Sequence, residues 1–462
     1  MALFSPSVKD IRAISARLHA RLGDFWWYSL MLFCAFRAAD LLNAFIGLWL
    51  VPKYVAPSEL GAVMPLTQFA NFLAIPVAAF ANTFRNELTR LSINQEFGKL
   101  KTLMRGVFIA TAIFLFLAII VARFMLPLFL ERIRIVEGSL GIVIIAASFL
   151  GATSPIYSNA IQALKKFKAQ SVISIACAPV RLIAMIITMP FRALTGYFVG
   201  QASVPAFSIA ASVYSLSKEL SIKAEPYWEK RTMKKFAALF AIFLACGGVS
   251  GIYGLVESTI IRQRLTDIDS AGYYMATRFS EIASYLFCAV NFALFPIAAS
   301  LANKQTARQR LVMKSVVINL IFCALVGGAF TAFGHQALSL LPHGDQYAAY
   351  WWSIPWMTII TAIASIQGFY TTAEIAAGRF VFLKWLLPIE LAYPSLLLLV
   401  TGYGYYAHLL PESWATFLHI HNIRSLDTML WWMTAINSAK AAICLIALTK
   451  QTHDTLNNSQ HK

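Results

Sequence analysis

Long apolar stretches alternate with short polar loops along almost the whole chain. A helix needs about 20 mostly apolar residues to cross the hydrocarbon core of a bilayer, and about twelve stretches reach this length. The pattern therefore predicts an all-α polytopic membrane protein with about twelve transmembrane helices. The predicted spans are approximately 25–52, 60–84, 104–130, 138–162, 170–191, 195–217, 236–261, 271–301, 312–341, 349–376, 381–406 and 429–449.

Composition supports the same class. Of the 462 residues, 59% are hydrophobic and 13% are charged, whereas roughly a quarter of a soluble domain is charged. The formal net charge is +17, but the basic residues form short clusters between apolar stretches rather than one basic face, so no nucleic-acid partner is expected. The 6 cysteines lie in apolar segments without the spacing of a metal or redox site, so no metal or cofactor is expected either.

Lysine and arginine collect in every second loop. Such clusters mark the cytoplasmic side of a membrane, which predicts a multi-pass protein of the cytoplasmic (inner) membrane with both termini in the cytoplasm. The loops on the opposite side are short or mixed in charge, and the longest, about 404–428, leaves no room for a folded domain. Basic residues that carry this prediction include Lys9, Arg12, Arg85, Lys99, Lys165, Lys166, Lys230, Lys234, Lys304, Arg308, Arg379, Lys384 and Lys450.

The longest polar linker, "SKELSIKAEPYWEKRTMKK", divides the spans into two sets of six, each starting from the cytoplasm. This arrangement is typical of a parallel repeat, whose halves are related by an axis along the membrane normal. Gly61 and Gly272, which open the second and eighth spans, are 211 residues apart and align the two halves. The predicted domains are an N-terminal lobe (1–217), a cytoplasmic linker (218–235) and a C-terminal lobe (236–462).

Three features occur together: the acidic turn with glycine that opens the second span of each half, the segment "FPIAASLANKQTARQRLVMKSV" (295–316), and "HGDQYAAYWWSIPWMTI" (343–359). In this combination the sequence resembles the oligosaccharide-lipid flippases (Wzx-like) of the multidrug/oligosaccharidyl-lipid/polysaccharide exporter superfamily. The resemblance implies two six-helix lobes around a central cavity lined by the first, second, seventh and eighth helices. It also implies a lipid-linked glycan as substrate, contact with membrane lipids, and alternating access; it leaves glycan-assembly enzymes open as partners.

Two pairs of opposite charges lie within predicted spans. Arg37 and Asp40 are three residues apart in the first span, and Arg278 and Glu281 are three apart in the eighth. An ion at the centre of a bilayer costs about 2.5–3.5 kcal/mol on insertion scales, so each needs compensation or a use. Three residues apart, the two charges of a pair share one helical face and can partly neutralise each other.

These pairs have two interpretations: they lock helices together, or they face a water-filled cavity. Their occurrence on one lining helix of each lobe favours the cavity, since a guanidinium offers an anionic lipid a planar fork of donors. Arg37 and Arg278 are then the predicted site for the diphosphate headgroup. Asp40 and Glu281 would hold the arginines ready and prevent binding that is too tight for release. The polar face would be continued by Asn43, Gln68 and Asn71.

Other intramembrane ionisable residues leave alternatives open. Arg181 follows Pro179, where a kinked helix could expose it to the cavity, but it could equally pack within its lobe. Four further residues could form a proton or cation relay, or could be partners inside a lobe. They are Glu257, Glu374, Glu390 and Lys440.

The leading functional hypothesis is a transporter that flips a polyprenyl-diphosphate-linked oligosaccharide across the cytoplasmic membrane. A cation-coupled multidrug exporter of the same superfamily is the nearest alternative, but organic cations favour carboxylates and aromatic side chains, whereas paired arginines indicate an anionic substrate. A membrane enzyme of glycan polymerisation or ligation is the alternative from another class. Because the sequence has no large external loop and no constellation of nucleophile, acid and base, no enzymatic activity is expected.

Overall fold

The computed structural model describes residues 37–135, 140–164, 166–227, 230–301, 304–401 and 425–460. The regular structure of these residues is helical, and no strand occurs among them. We number the long helices α1 to α12. The first six are α1 (37–54, with a π-helical turn at Ile46–Leu50), α2 (Val63–Ile93), α3 (Phe97–Arg132), α4 (Leu140–Ala163), α5 (Phe167–Thr188) and α6 (Ala193–Ser215).

The second six helices follow the linker. They are α7 (Lys230–Arg264), α8 (Asp267–Ser300), α9 (Gln305–Ser339), α10 (Ser353–Ala376), α11 (Leu383–Thr401) and α12 (Leu426–Gln460). Short helices lie at Pro57–Leu60, Ser217–Ser221 and Gly344–Tyr347. The predicted all-α class with two sets of six helices is confirmed.

Several helices continue beyond the predicted spans at the end predicted to face the cytoplasm. α2 ends at Ile93 rather than near 84, and α3 begins at Phe97 rather than near 104. α7 begins at Lys230, inside the predicted linker. Hydropathy marks the part of a helix that lies in hydrocarbon, whereas backbone hydrogen bonding continues through polar residues of good helix propensity. The polar flanks are therefore helical extensions.

Within the described residues, eight helices are long and apolar enough to cross a membrane by length and composition alone. The predicted first span is described only from residue 37 onward, and α6, α8 and α10 are less apolar. These three helices pack on several others inside the lobes, so protein rather than lipid surrounds many of their polar side chains. By contrast, α3 and α9 expose large apolar side chains such as Phe124 and Leu325, which suit contact with lipid.

The contacts between helices repeat after six helices. α2 packs on α3 and α4, as α8 packs on α9 and α10. α4 packs on α6 as α10 packs on α12, and α5 packs on α6 as α11 packs on α12. A duplicated six-helix unit produces this repeated pattern. The residue boundaries of the two lobes, at 217 and 236, remain predictions.

The lobes meet where α2 contacts α7 and where α1 contacts α8. One buried cluster combines residues of both lobes, such as Ile46 and Tyr274, near the end predicted to face outward. Near the other end the N-terminal lobe has its own core around Leu88, and the C-terminal lobe has its own around Phe369. A shared core therefore closes the predicted outer end of the described structure.

The segment that joins the lobes lies against the N-terminal lobe. The backbone N–H of Glu225 donates to the carbonyl of Gly98 at 3.2 Å. A Cβ added at Gly98 would lie 2.9 Å from the carbonyl oxygen of Lys223, so this close approach requires glycine. Lys166 also pairs with Glu219 at 2.9 Å. Burial disfavours the charged carboxylate of Glu219, but the hydrogen bond and charge of Lys166 outweigh burial, and the pKa of Glu219 is lowered.

Candidate functional site

Two ion pairs face each other from helices of opposite lobes. Arg37 Nη2 lies 2.9 Å from Asp40 Oδ2 on α1, and Arg278 Nη1 lies 2.9 Å from Glu281 Oε1 on α8. Each pair spans three residues, so one face of its helix presents both charges. All four side chains keep some exposure. The pairs are therefore not sealed inside protein.

Hydrogen bonds join α1 and α8 across the lobe interface. Arg37 Nη1 donates to the carbonyl oxygen of Tyr285 at 2.5 Å, and the Tyr285 hydroxyl donates to the carbonyl oxygen of Asp40 at 2.9 Å. The Arg37 guanidinium carbon also lies 5.5 Å from the centre of the Tyr285 ring, within the range of a cation–π contact. The two pairs thus belong to one cluster that crosses the interface.

Gly47, in the π-helical turn of α1, is approached by both Tyr274 and Arg278 of α8. In such a turn a carbonyl accepts from the N–H five residues later, and the residue five after Gly47 is Pro52, which has no N–H. The Gly47 carbonyl is left for Tyr274, whose hydroxyl donates to it at 3.1 Å. A Cβ at Gly47 would lie 3.0 Å from Arg278 Cδ, so glycine also makes room for the arginine.

A cavity of about 650 Å³ lies inside the N-terminal lobe, between α1, α2, α4, α5 and α6. Among the predicted site residues, Asn43, Asn71 and Arg181 line it. Arg181 Nη1 donates to Asn43 Oδ1 at 2.8 Å. Arg181 therefore contacts a residue of its own lobe and also lines a cavity, but this cavity lies within the lobe and is distinct from the predicted central cavity between the lobes. The two ion pairs are not among its lining residues and lie at the lobe interface instead.

Gln68 lies apart from this cavity. A Cβ added at Gly254 of α7 would lie 3.0 Å from Gln68 Oε1, so Gln68 faces the contact between α2 and α7. Side chains three residues apart on a helix point in directions about 60° apart around its axis. This angle is large enough for Asn71 to face the cavity while Gln68 faces α7. The polar residues that were predicted to line one common space therefore lie in three places: the cavity of the N-terminal lobe, the contact between α2 and α7, and the contact between α1 and α8.

Glu257 lies in a buried network of the C-terminal lobe. The Tyr393 hydroxyl donates to Glu257 Oε2 at 2.8 Å, and the Tyr273 hydroxyl donates to Oε1 at 3.3 Å. A buried carboxylate is stabilised when hydroxyl groups donate to both of its oxygens. These contacts place Glu257 among partners of its own lobe.

Lys440 and Glu390 form a buried pair next to this network. Lys440 Nζ lies 3.0 Å from Glu390 Oε2, and their side chains are only 4% and 9% exposed. The ammonium also lies 4.1 Å from the centre of the Tyr253 ring, and Gln367 donates to the other oxygen of Glu390 at 2.8 Å. Each charge thus has both an ionic partner and a second polar or aromatic contact.

Glu374 pairs with Arg308 inside the C-terminal lobe. Arg308 Nη2 donates to Glu374 Oε1 at 3.0 Å, and both side chains are buried. Arg308 lies in the first turn of α9 rather than in a solvated loop. Among the described residues, Glu374 therefore has a structural partner at the end of its lobe that is predicted to face the cytoplasm.

A second charged cluster holds the lobes together at the predicted outer end. Arg262 of α7 donates to the carbonyl oxygens of Ile133 and Ser58 in the other lobe, at 3.1 and 2.8 Å, and to Asp267 at 2.9 Å. Its side chain is only 2% exposed. Arg134 reaches the same Asp267 oxygen at 3.1 Å from the N-terminal lobe but is 53% exposed. Arg262 thus forms the buried part of a latch between the lobes.

Replacing Arg262 with Met should open the outer end. The change removes three hydrogen bonds of a buried guanidinium, and hydrogen bonds to charged groups are worth about 1.5–3 kcal/mol each. A cysteine introduced at Val55, which is buried in the shared core, should then react with a maleimide at least about tenfold faster in the purified protein, in a background without the native cysteines. Arg134→Met is the matched control, because exposed ion pairs contribute only about 0–1 kcal/mol. Equal labelling of both variants would contradict the latch.

Sequence reasoning missed the tyrosines and the arginine that make the contacts between lobes. Tyr274 lies four residues before Arg278, and Tyr285 lies four after Glu281, so both share the charged face of α8. That spacing was a usable signal. No comparable sequence signal distinguishes Arg262, because a basic residue at the end of a span is also typical of a position at the membrane interface.

Comparison with solved structures gives the fold. The chain is similar to an inward-facing multidrug resistance MATE family transporter of the MOP superfamily, with a TM-score of 0.63, 11% identity, and 92% of this chain and 96% of that chain covered. A mutant of the Vibrio cholerae MATE transporter VcmN matches with a TM-score of 0.62, 14% identity and coverage of 95% and 98%. No family model and no curated protein matches the sequence.

A third structure is a MOP superfamily transporter from Pyrococcus furiosus, in which reverse polarity of the binding pocket suggests a different function. Its TM-score is 0.63 at 10% identity, and 93% of this chain and 96% of that chain are covered. At these identities the likeness establishes the fold alone. The chain therefore has the fold of MATE transporters, a fold of two six-helix lobes.

Proposed function

We propose that the protein transports a lipid-linked oligosaccharide, carried on a polyprenyl diphosphate, across the cytoplasmic membrane by alternating access. One observation carries the proposal: among the described residues, the charged cluster where α1 meets α8 and the cavity beside it hold three arginines and two carboxylates. The arginines are Arg37, Arg181 and Arg278, and the carboxylates are Asp40 and Glu281. An excess of positive charge in a low-dielectric passage favours an anionic substrate.

The geometry also provides a way to bind and release a diphosphate. Each interface arginine is held by a carboxylate on its own helix, so its guanidinium stays oriented when no substrate is bound. A diphosphate can accept bidentate hydrogen bonds from these forks. When it leaves, the carboxylate takes its place again, which lowers the energy of the empty site and prevents trapping of the substrate.

A multidrug exporter of organic cations fits the fold equally well. The described residues that line the N-terminal cavity favour the other substrate class, since none of these described residues is Asp or Glu and the one aromatic side chain among them is Phe198. A cationic drug gains most from carboxylates and from the faces of aromatic rings. We therefore place the drug exporter second.

The test is transport by the purified protein in liposomes. A fluorescent polyprenyl-diphosphate-linked oligosaccharide is placed in both leaflets, and the fraction protected from an impermeant quencher is followed with time. We expect the protein to remove this protection, while ethidium efflux under a sodium or proton gradient stays at the level of empty liposomes. Ethidium transport together with a fully protected lipid would overturn the proposal in favour of the drug exporter.

A further inference from the structure

The cavity of the N-terminal lobe contains a cation that no carboxylate of the described residues contacts. Arg181 lines this cavity, and the structure gives its guanidinium one hydrogen bond, from Nη1 to Asn43. Its Nε is buried and has no hydrogen-bond partner in the described part of the chain. By contrast, Arg37 and Arg278 each have a carboxylate at 2.9 Å. Of these three described arginines, Arg181 is thus the one that forms no ion pair with a described carboxylate.

We infer that this cavity receives an acidic sugar of the transported glycan and that Arg181 binds its carboxylate. The inference rests on the proposed function and names the class of glycan. A buried charge without an ionic partner is unfavourable; among the described residues Arg181 forms no ion pair, and the charge of Glu281, which is paired with Arg278, acts on it only from a greater distance. The carboxylate of a bound sugar would accept hydrogen bonds from the Arg181 guanidinium and would balance its positive charge.

The rest of the cavity wall suits a sugar. Its polar lining consists of amides and hydroxyls, which can donate to and accept from sugar hydroxyl groups. The volume of about 650 Å³ lies within the range of about 300–1,000 Å³ that is typical of ligand pockets. Besides Arg181, the polar lining residues are Asn43, Thr67, Asn71, Ser148, Ser154, Gln201 and Ser208.

The number of charges distinguishes a carboxylate from the diphosphate of the carrier. A carboxylate has a single negative charge and two oxygens, which match one edge of one guanidinium. A diphosphate has more than one negative charge and is better matched by the two arginines at the lobe interface. The lipid must also stay in contact with hydrocarbon, whereas this cavity lies between five helices of one lobe. The sugar and the diphosphate therefore occupy separate places.

Binding to the purified protein in nanodiscs tests the inference, with saturation-transfer NMR as the readout. The probes are a trisaccharide that contains D-glucuronate, the same trisaccharide with D-glucose in its place, and a polyprenyl diphosphate without sugar. We expect the unaltered protein to bind the acidic trisaccharide more tightly than the neutral one. Arg181→Gln should weaken acidic trisaccharide binding by roughly ten- to hundredfold, the loss expected for hydrogen bonds to a charged group, and should leave polyprenyl diphosphate binding unchanged. Arg181→Lys should restore part of the affinity.

Lys314→Gln is the matched control, because it removes one exposed positive charge outside the cavity. Equal binding of the two trisaccharides by the unaltered protein would overturn the inference even if Arg181→Gln did not fold. Unchanged binding of the acidic trisaccharide to a folded Arg181→Gln protein would do the same. In either case, binding of the polyprenyl diphosphate would still support the proposed function. If neither the unaltered protein nor any variant binds the polyprenyl diphosphate, the proposed function is wrong.

Discussion

Replacing Glu390 with Leu should lower the free energy of unfolding by about 3–5 kcal/mol, the cost of leaving one partner of a buried pair alone. Lys440 would keep its contact with the Tyr253 ring, 4.1 Å away, but would lose its carboxylate in an interior where it is 4% exposed. The measurement is the unfolding midpoint and slope of the purified protein in detergent and denaturant.

The control is the pair between Lys166 and Glu219 beside the linker. Its N–O distance of 2.9 Å resembles that of the buried pair, but its side chains are 30% and 19% exposed. Because partly exposed pairs contribute only about 0–1 kcal/mol, Glu219→Gln should have a small effect. Equal destabilisation by the two changes would contradict the account of the C-terminal network.

The double variant Glu390→Leu/Lys440→Met separates structure from transport. Removal of both charges should restore much of the stability, since replacing a buried ion pair by apolar groups of similar size is often neutral or favourable. If Glu390 and Lys440 only stabilise the fold, the rate of transport should recover together with the free energy of unfolding. Recovered stability without recovered transport would instead support a role of Glu390 and Lys440 in a proton or cation relay, one of the two alternatives that the sequence left open for them.

The fold could be predicted from the sequence because each apolar stretch is about as long as a whole membrane span. The basic clusters mark the loops between the spans. Sequence also identified the two ion pairs, since a spacing of three on a helix fixes which charges meet. It could not place Gln68 and Asn71 on different surfaces, because that depends on the neighbours of α2. The roles of Arg181 and Glu374 needed the contacts as well: hydropathy treats them alike, yet one lines a cavity while the other is paired with Arg308.

Replacing Arg278 with Ala should leave the protein folded but reduce transport of the lipid-linked oligosaccharide by roughly ten- to hundredfold, if its guanidinium makes charged hydrogen bonds to the diphosphate. Arg278→Lys should retain part of the activity, because it keeps the charge and loses the planar fork. Lys314→Ala is the matched control, since Lys314 is exposed on α9 and belongs to neither of the two ion pairs. Protein levels and unfolding midpoints must be matched before rates are compared.

The pair on α1 has a structural explanation that must be distinguished from substrate binding. Arg37 bridges the lobes through the carbonyl of Tyr285, at 2.5 Å, so its loss could act by loosening the interface. If the pair only holds helices, Arg37→Ala/Asp40→Ala should be milder than Arg37→Ala, because no unpaired charge remains. If Arg37 binds the diphosphate, removing Asp40 as well cannot replace the missing fork.

Diphosphate binding by Arg37 is tested most directly by the initial rate at which the double variant Arg37→Ala/Asp40→Ala moves the fluorescent lipid-linked oligosaccharide between leaflets. The rate is measured in liposomes at matched protein content, beside Arg37→Ala and the unaltered protein. If Arg37 binds the diphosphate, the double variant stays as slow as Arg37→Ala although its unfolding midpoint recovers. Recovery of the rate together with the midpoint would contradict headgroup binding and would leave Arg37 and Asp40 as a pair that packs two helices.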